Sequence, residues 1–325
     1  MDLVLKYRNS IYGFLILWIV FFHIERVIGM PVSIPIVTPF IQRGNAAVDV
    51  FFFLSGFCLC LSLNKNNSLK CFYSKRFNRV VISYLIIAIP FFIWKSIEEF
   101  SSMRLAHFFF DLSGLSFWQD GCQNAWFVHA IIVFYIITPL LFWIVSNGLT
   151  YSLICVGALY VLNILVYLFY PTYHLSGIAW ARLPIFLIGL IMGYYFPHFD
   201  FHSRKYFVVL SVLLGVALLL FVPSSLKGFY SWLLYAFIVI PLLWVLSSSF
   251  KIMPKAVNSV FLSIGNVSLE IYLCHIMIWH ILRFYRLEMS VGMWIYFILP
   301  VISFICSIAV AKISNRMINK NIIKV

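Results

Sequence analysis

Residues Gly44 to Phe57 read GNAAVDVFFFLSGF, and this stretch decides the fold. It is apolar enough to enter a lipid bilayer, yet it carries an aspartate, Asp49, among phenylalanines. A charged side chain inside a membrane helix costs roughly 2.5–3.5 kcal/mol on insertion scales, so we expect Asp49 to have a partner or a task. Asp49 and Gly56 share one helical face, where the small Gly56 allows another helix or a substrate to come close.

The whole chain has the composition of a membrane protein. Hydrophobic residues make up 63% of it and charged residues 10%, with a mean hydropathy of +1.01. Soluble domains contain about 25% charged residues, so an ordinary soluble domain is excluded. The net charge of +13 arises from basic residues that lie mostly between apolar segments. In such positions they set topology and contact lipid head groups, so we expect membrane lipid as a partner and no nucleic acid.

Ten segments have the length and apolarity of membrane spans. A span needs about 20 mostly apolar residues to cross the hydrocarbon core. The pattern predicts an all-α, polytopic transmembrane bundle of about ten helices. No linker rich in glycine, proline or serine divides the chain, so residues 1–325 are predicted to form one integral-membrane domain. The candidate spans are residues 10–28, 46–63, 79–97, 125–145, 149–170, 179–197, 205–222, 229–247, 265–283 and 291–311.

The distribution of lysine and arginine predicts the orientation. With the N-terminus inside, fifteen of the 23 lysine and arginine residues fall in cytoplasmic segments and eight fall outside. This bias indicates an even number of spans with both termini in the cytoplasm. We found no internal repeat, which weighs against a transporter built from inverted repeats.

Polar residues of the first two spans are predicted to meet. His23 lies in the outer half of the first span, and Asp49 lies near the outer end of the second. At similar depth on adjacent helices, a carboxylate can hold an imidazole, fix its tautomer and stabilise the imidazolium. The alternative is a structural hydrogen bond that joins two helices, and the sequence leaves both open.

Further polar residues are candidates for binding a substrate. In the ninth span, Tyr272 and His275 belong to a polar and aromatic stripe, which faces either a cavity or another helix. Trp126 and His129 share a face at the outer end of the fourth span, where an aromatic belt is the simpler explanation. Arg182 lies on the outer side and can reach lipid phosphate or a substrate oxygen.

A basic cluster, Lys75, Arg76 and Arg79, closes the second cytoplasmic loop. Positive-inside placement is the commonest reason for such clusters. The functional alternative is a phosphate clamp, because Arg76 and Arg79 can point two guanidinium groups at one polyanion. The chain has no zinc-type spacing, Walker loop, Rossmann glycine pattern or GxSxG elbow, so we expect no metal.

The order of these motifs resembles the acyltransferase 3 family of bacterial integral-membrane acyltransferases. The resemblance covers nearly the whole chain, and its most specific part is the second-span motif. In order, the matching elements are His23, VDVFFFLSGF at Val48 to Phe57, KRFNR at Lys75 to Arg79, AWF at Ala125 to Phe127, ARLPIFLIGLIMGYYF at Ala181 to Phe196, and GNVSLEIYLCH at Gly265 to His275.

The resemblance implies a ten-helix O-acyltransferase of the bacterial cytoplasmic membrane. Members of the family transfer an acyl group, usually acetyl, from acyl-CoA to a hydroxyl, mostly on sugars of surface polysaccharides and lipid-linked glycans. His23 matches the catalytic histidine, and Asp49 matches the acidic residue of the second-helix motif. Arg76 and Arg79 match the paired basic residues on the cytoplasmic, CoA-facing side.

One position departs from the family pattern. An arginine usually stands eleven residues before the histidine, and here that position is Tyr12. Arg8, one turn earlier, is the candidate to replace it, so we expect Arg8, Tyr12, Lys75, Arg76 and Arg79 to contact acyl-CoA. Two other functions stay open: an exporter or flippase of glycans or lipid-linked sugars, and a sensor or scaffold that kept the fold without the reaction. The sequence also leaves open whether the protein forms a homo-oligomer.

Overall fold

The computed structural model describes residues 1–28, 34–65, 68–98, 104–121, 125–170, 173–200, 209, 227–287 and 292–322. Within these ranges the regular elements are helices, and no strand is present. The all-α prediction is therefore confirmed for the described part of the chain.

The helices are labelled in chain order over the described residues. A short 3₁₀ turn, Gly292–Trp294, precedes the last of them. Their bounds are α1 Asp2–Lys6, α2 Arg8–Ile28, α3 Val37–Ile41, α4 Ala46–Lys65, α5 Leu69–Glu98, α6 Arg104–Leu112, α7 Leu115–Asp120, α8 Trp126–Ser146, α9 Leu149–Phe169, α10 Tyr173–Trp180, α11 Leu183–Tyr195, α12 Lys227–Ile252, α13 Lys255–Asn266, α14 Ser268–Phe284 and α15 Ile295–Ile322.

The apolar segments form the long helices of a multi-pass membrane protein. Among the described residues, seven helical stretches are long and apolar enough to cross a membrane. Helices α13 and α14, bent by 68°, make an eighth if they are one span. The first predicted span corresponds to α2, which is not one of the seven, and the seventh, 205–222, lies outside the described residues except at position 209. The number of about ten spans and the cytoplasmic side of both termini stay predictions.

Glycine brings α4 and α11 into backbone contact. A methyl group on Gly56 would collide with the carbonyl oxygen of Phe186, and one on Gly189 would collide with that of Phe53. Such an approach requires a residue without a side chain at the crossing. Of the two uses predicted for Gly56, contact with another helix is the one that the structure shows.

A second glycine contact joins α2 to α13. A methyl group on Gly13 would collide with the carbonyl oxygen of Phe261, and one on Gly265 would collide with that of Asn9. The Asn9 side-chain amide also donates a hydrogen bond of 2.7 Å to Asn266. Directly after this contact the chain turns from α13 into α14, and the 68° bend leaves space beside α2.

Candidate active site

A cavity of about 330 Å³ lies beside the bend between α13 and α14. Along α2 it extends from Arg8 to Ile19, which is about 16 Å at 1.5 Å per residue. Its volume is in the usual range for small-molecule sites. Its lining residues come from six helices and are Arg8, Asn9, Tyr12, Ile16, Ile19, Val48, Phe51, Ser55, Arg79, Val80, Phe127, Ile131, Tyr135, Gly265, Asn266, Ser268, Leu269 and Tyr272.

Two histidines meet just beyond one end of this cavity. His23 follows Ile19 by one helical turn on α2, and His275 follows Tyr272 by one turn on α14. The Nδ1 atom of His23 lies 3.0 Å from Nε2 of His275, and the rings are stacked with centroids 5.2 Å apart. His275 is fully buried.

The backbone fixes the tautomers of this pair. Nδ1 of His275 lies 3.0 Å from the carbonyl oxygen of Ile271, which can only accept a hydrogen bond. His275 therefore carries its proton on Nδ1, and in the neutral ring Nε2 is an acceptor. His23 must then donate from its own Nδ1, so its Nε2 keeps a lone pair. A neutral histidine with a free Nε2 is the form required of a general base.

The prediction that Asp49 holds the His23 imidazole is wrong. Asp49 is fully buried, its Oδ1 lies 3.8 Å from Nε of Arg182, and neither carboxylate oxygen has a hydrogen-bond partner. The reason is the α4–α11 contact. Gly56 directs one face of α4 to α11, and Asp49, on the same face, meets Arg182, the residue that precedes α11.

Arg182 joins several elements on that side of the molecule. Its Nη1 donates a hydrogen bond of 2.7 Å to the carbonyl oxygen of Ile178. Its guanidinium carbon lies 5.3 Å from the centre of the Trp126 ring, within cation–π range. Arg182 and Trp126 are not among the residues that line the cavity, so their predicted contact with a substrate stays a prediction.

His129 and Tyr272, two further candidates for substrate binding, have different surroundings. Nε2 of His129 lies 3.1 Å from the Tyr84 hydroxyl, which donates to the carbonyl oxygen of Leu112. His129 does not line the cavity. Tyr272 does line it, and its hydroxyl accepts a hydrogen bond of 3.3 Å from the backbone N–H of Phe127. The Tyr272 hydroxyl acts as the acceptor in this hydrogen bond and keeps its own proton to donate.

Of the residues that are predicted to bind a donor, some line the cavity and others do not. Arg8, Tyr12 and Arg79 line the cavity, and the Tyr12 ring stacks on Phe51 with centroids 5.0 Å apart. Lys75 is exposed, and the guanidinium of the half-buried Arg76 lies over the Phe72 ring at 5.9 Å. Arg76 and Lys75 are not among the residues that line the cavity, so their predicted contact with a donor stays a prediction. The two arginines that line the cavity are Arg8 and Arg79.

Sequence reasoning missed the partner of Arg79. Its guanidinium is ion-paired with the carboxylate of Glu270, a residue with no exposed surface. The argument applied to Asp49 applies equally to Glu270, because it too is an acidic residue in an apolar segment. Among the described residues, no group of three or more histidine, cysteine or acidic side chains could hold a metal ion. The expected absence of a metal stays a prediction.

The fold and the cavity define a class: a multi-pass helical membrane protein with an internal cavity that has arginines along its wall and a histidine pair beyond one end. Comparison with known proteins makes this more specific. The family model Acyl_transf_3, described as an acyltransferase domain, matches residues 10–312. The chain therefore belongs to the acyltransferase 3 family, and membership supports a membrane acyltransferase. Neither the comparison with curated proteins nor the comparison with solved structures gave a match.

Proposed function

We propose that the protein is an O-acyltransferase of the bacterial cytoplasmic membrane. Its donor is cytoplasmic acyl-CoA, with acetyl-CoA as the first candidate, and its acceptor is a hydroxyl of a cell-surface or lipid-linked glycan. The observation that carries this proposal is the cavity, which has Arg8 and Arg79 in its wall and ends one helical turn from His23. Family membership supports the reaction class independently.

The donor would enter from the side of Arg8 and Arg79. Guanidinium groups bind phosphate oxygens through directed, charge-assisted hydrogen bonds, so these two residues suit the phosphates of CoA. The exposed Lys75 would add positive charge outside the cavity. The acyl-pantetheine arm would then extend along α2, past Tyr12, towards Ile19.

The proposed reaction requires one proton transfer, which we assign to the histidine pair. When the acceptor oxygen bonds to the thioester carbon, the carbon–sulfur bond breaks, and the hydroxyl proton must reach the departing thiolate. Nε2 of His23 can take that proton and return it to sulfur. His275 stabilises the required tautomer through the 3.0 Å contact. The Tyr272 hydroxyl, in the cavity wall, would donate a hydrogen bond to the thioester oxygen as negative charge develops there.

The test uses purified protein in lipid nanodiscs with acetyl-CoA labelled in the acetyl group. We expect binding of the donor and slow hydrolysis or transfer. His23→Ala should reduce turnover by about 10²–10⁴-fold, the usual contribution of general acid–base catalysis. The matched control is His107→Ala, since His107 is an exposed histidine on α6. An exporter or flippase would neither bind nor turn over the donor, and equal turnover by His23→Ala would contradict the proposed base.

The acceptor is tested in cells. Mass spectrometry of surface and lipid-linked glycans, with and without this chain, should show a difference of one acyl group. Cells that carry His23→Ala should resemble cells without the chain. Identical glycan masses in all three would exclude a glycan acceptor, while the nanodisc assay would still test donor use.

A further inference from the structure

Arg79 is held by a network that involves three helices. Both terminal nitrogens of its guanidinium contact the carboxylate of Glu270, and the Nη2–Oε2 distance is 3.1 Å. The Ser83 hydroxyl lies 2.8 Å from Oε1 of Glu270 and 3.1 Å from the Ser314 hydroxyl. A serine hydroxyl has one proton, and the carboxylate is the stronger acceptor, so Ser314 donates to Ser83 and Ser83 donates to Glu270.

The two members of the ion pair differ in exposure. The Arg79 side chain is 41% exposed, whereas the Glu270 side chain is 0% exposed. Arg79 lines the cavity and Glu270 does not. The carboxylate can therefore act on a ligand only through the guanidinium that it holds.

The hydrogen-bond inventory of Arg79 leaves part of its guanidinium for a ligand. Of its five N–H groups, two bind the Glu270 oxygens and a third lies 3.2 Å from the Ser83 hydroxyl. The N–H of Nε and one N–H of Nη2 remain for a ligand, on a side chain that is 41% exposed and lines the cavity. A planar guanidinium that is hydrogen-bonded along one edge presents its remaining N–H groups in a defined direction, whereas the guanidinium of an unpaired arginine can turn.

We propose that Glu270 is a positioning residue for the donor: it fixes the Arg79 guanidinium so that the remaining N–H groups meet phosphate oxygens of acyl-CoA. This inference rests on the proposed function. Positioning and simple charge attraction predict opposite effects of the substitution Glu270→Gln on donor binding. Glu270→Gln makes the cavity region more positive by one charge, which by Coulomb attraction would strengthen binding of a polyanion. Positioning predicts weaker binding, because the glutamine amide has an acceptor at only one of its two terminal atoms and so cannot hold both Nη1 and Nη2 of Arg79 as the carboxylate does.

The experiment measures kcat and KM in nanodiscs with two donors, acetyl-CoA and S-acetylpantetheine, which lacks the nucleotide phosphates. We expect Glu270→Gln to raise KM for acetyl-CoA about 10-fold, the loss of about one charge-assisted hydrogen bond. For acetylpantetheine we expect kcat/KM within about 2-fold of the wild type, because that donor does not use Arg79. The control is Ser314→Ala, which removes a neutral member of the network that does not contact Arg79 and should leave both donors within about 2-fold.

A double variant separates positioning from a structural role. If Glu270 acts through Arg79, the variant Arg79→Ala with Glu270→Gln should have the same KM for acetyl-CoA as Arg79→Ala alone. Should Glu270→Gln fail to fold, Glu270→Asp keeps the charge, shortens the side chain by one methylene, and should raise the same KM. A lower KM in Glu270→Gln, an equal loss with both donors, or additive effects in the double variant would overturn the inference.

The same measurements distinguish an error in the proposed donor site from an error in the role of Glu270. If the wild type used neither donor, or if Arg79→Ala bound acetyl-CoA as tightly as the wild type, the proposed donor site would be wrong and this inference with it. Weakened binding in Arg79→Ala together with normal binding in Glu270→Gln and Glu270→Asp would overturn the role of Glu270 alone.

Discussion

The Asp49–Arg182 pair and the Arg79–Glu270 pair each join an arginine to an acidic residue of a membrane helix, but they differ in the exposure of the arginine and in its access to the cavity. In the first, the two side chains are 0% and 1% exposed, and neither lines the cavity. In the second, the arginine is 41% exposed and lines the cavity. We call the contact between α4 and α11 the closed side of the molecule, and the cavity walls formed by α2, α5 and α14 the cavity side. In both pairs a fully buried acidic residue of a membrane helix contacts an arginine, and the surroundings of that arginine decide whether a ligand can reach it.

Helix packing explains the difference. On the closed side, Gly56 and Gly189 let α4 and α11 approach until their backbones touch, and Asp49 is fully buried beside Arg182. On the cavity side, the 68° bend between α13 and α14 moves α14 away from the axis of α13 immediately after the contact at Gly265. Stability should therefore depend mainly on the closed side, and turnover mainly on the cavity side.

The largest effect is expected from breaking the closed-side pair. Asp49→Asn leaves the Arg182 charge buried without its counter-ion and should lower the free energy of unfolding by about 3–5 kcal/mol, measured by reversible denaturation in detergent. Replacing both residues, Asp49→Leu with Arg182→Met, should recover most of that loss, because apolar residues can replace a buried ion pair. Asp120→Asn, at an exposed position, is the control.

The same double variant tests the catalytic role that the sequence predicted for Asp49. If the pair is structural, acyl transfer should return together with stability. A stable but inactive double variant would show that Asp49 takes part in the reaction, and the distinction between the closed side and the cavity side would fail.

A smaller effect, on turnover, is expected at the histidine pair. His275→Ala removes the acceptor that holds Nδ1 of His23 and should lower kcat by about 10–10²-fold, with KM for acetyl-CoA within about 3-fold. His275→Gln offers an amide oxygen in place of the ring nitrogen and should retain more activity than the alanine variant. Equal kcat in wild type and His275→Ala would show that the tautomer of His23 does not depend on this contact.

The smallest effect is expected at Tyr12. Tyr12→Phe keeps the ring that stacks on Phe51 and should change kcat/KM for acetyl-CoA by less than about 3-fold. Intact acetylation of glycans in cells with Tyr12→Phe would also argue against a sensor that lost the reaction.

Arg8 lies one turn from Tyr12 on the same cavity wall. If Arg8 replaces the family arginine, Arg8→Ala should raise KM for acetyl-CoA about 10-fold.

Much of the site could be found in the sequence, although its internal contacts could not. The sequence indicates His23 and Tyr272 as polar residues in apolar segments and Arg79 as part of a basic cluster, and all three lie in the cavity or directly beyond it. The predicted pairing of His23 with Asp49 is wrong, because the sequence predicts how deep each side chain lies in the membrane but not how each helix is rotated about its axis. Glu270 was overlooked as a partner, since it lies 191 residues from Arg79 and no local pattern connects them.

The sequence by itself determined the helical class, most of the described spans and the residues that carry charge into them, because apolarity and charge are properties of each segment alone. The tertiary structure decided which side chains meet. Neighbouring side chains on a helix point about 100° apart, so the rotation of one helix against the next changes a side chain's partner. That rotation is set by distant glycines. Gly56 and Gly189 turn Asp49 towards Arg182, while Gly13 and Gly265 bring α2 against α13, and His23 contacts His275 further along α2 and α14.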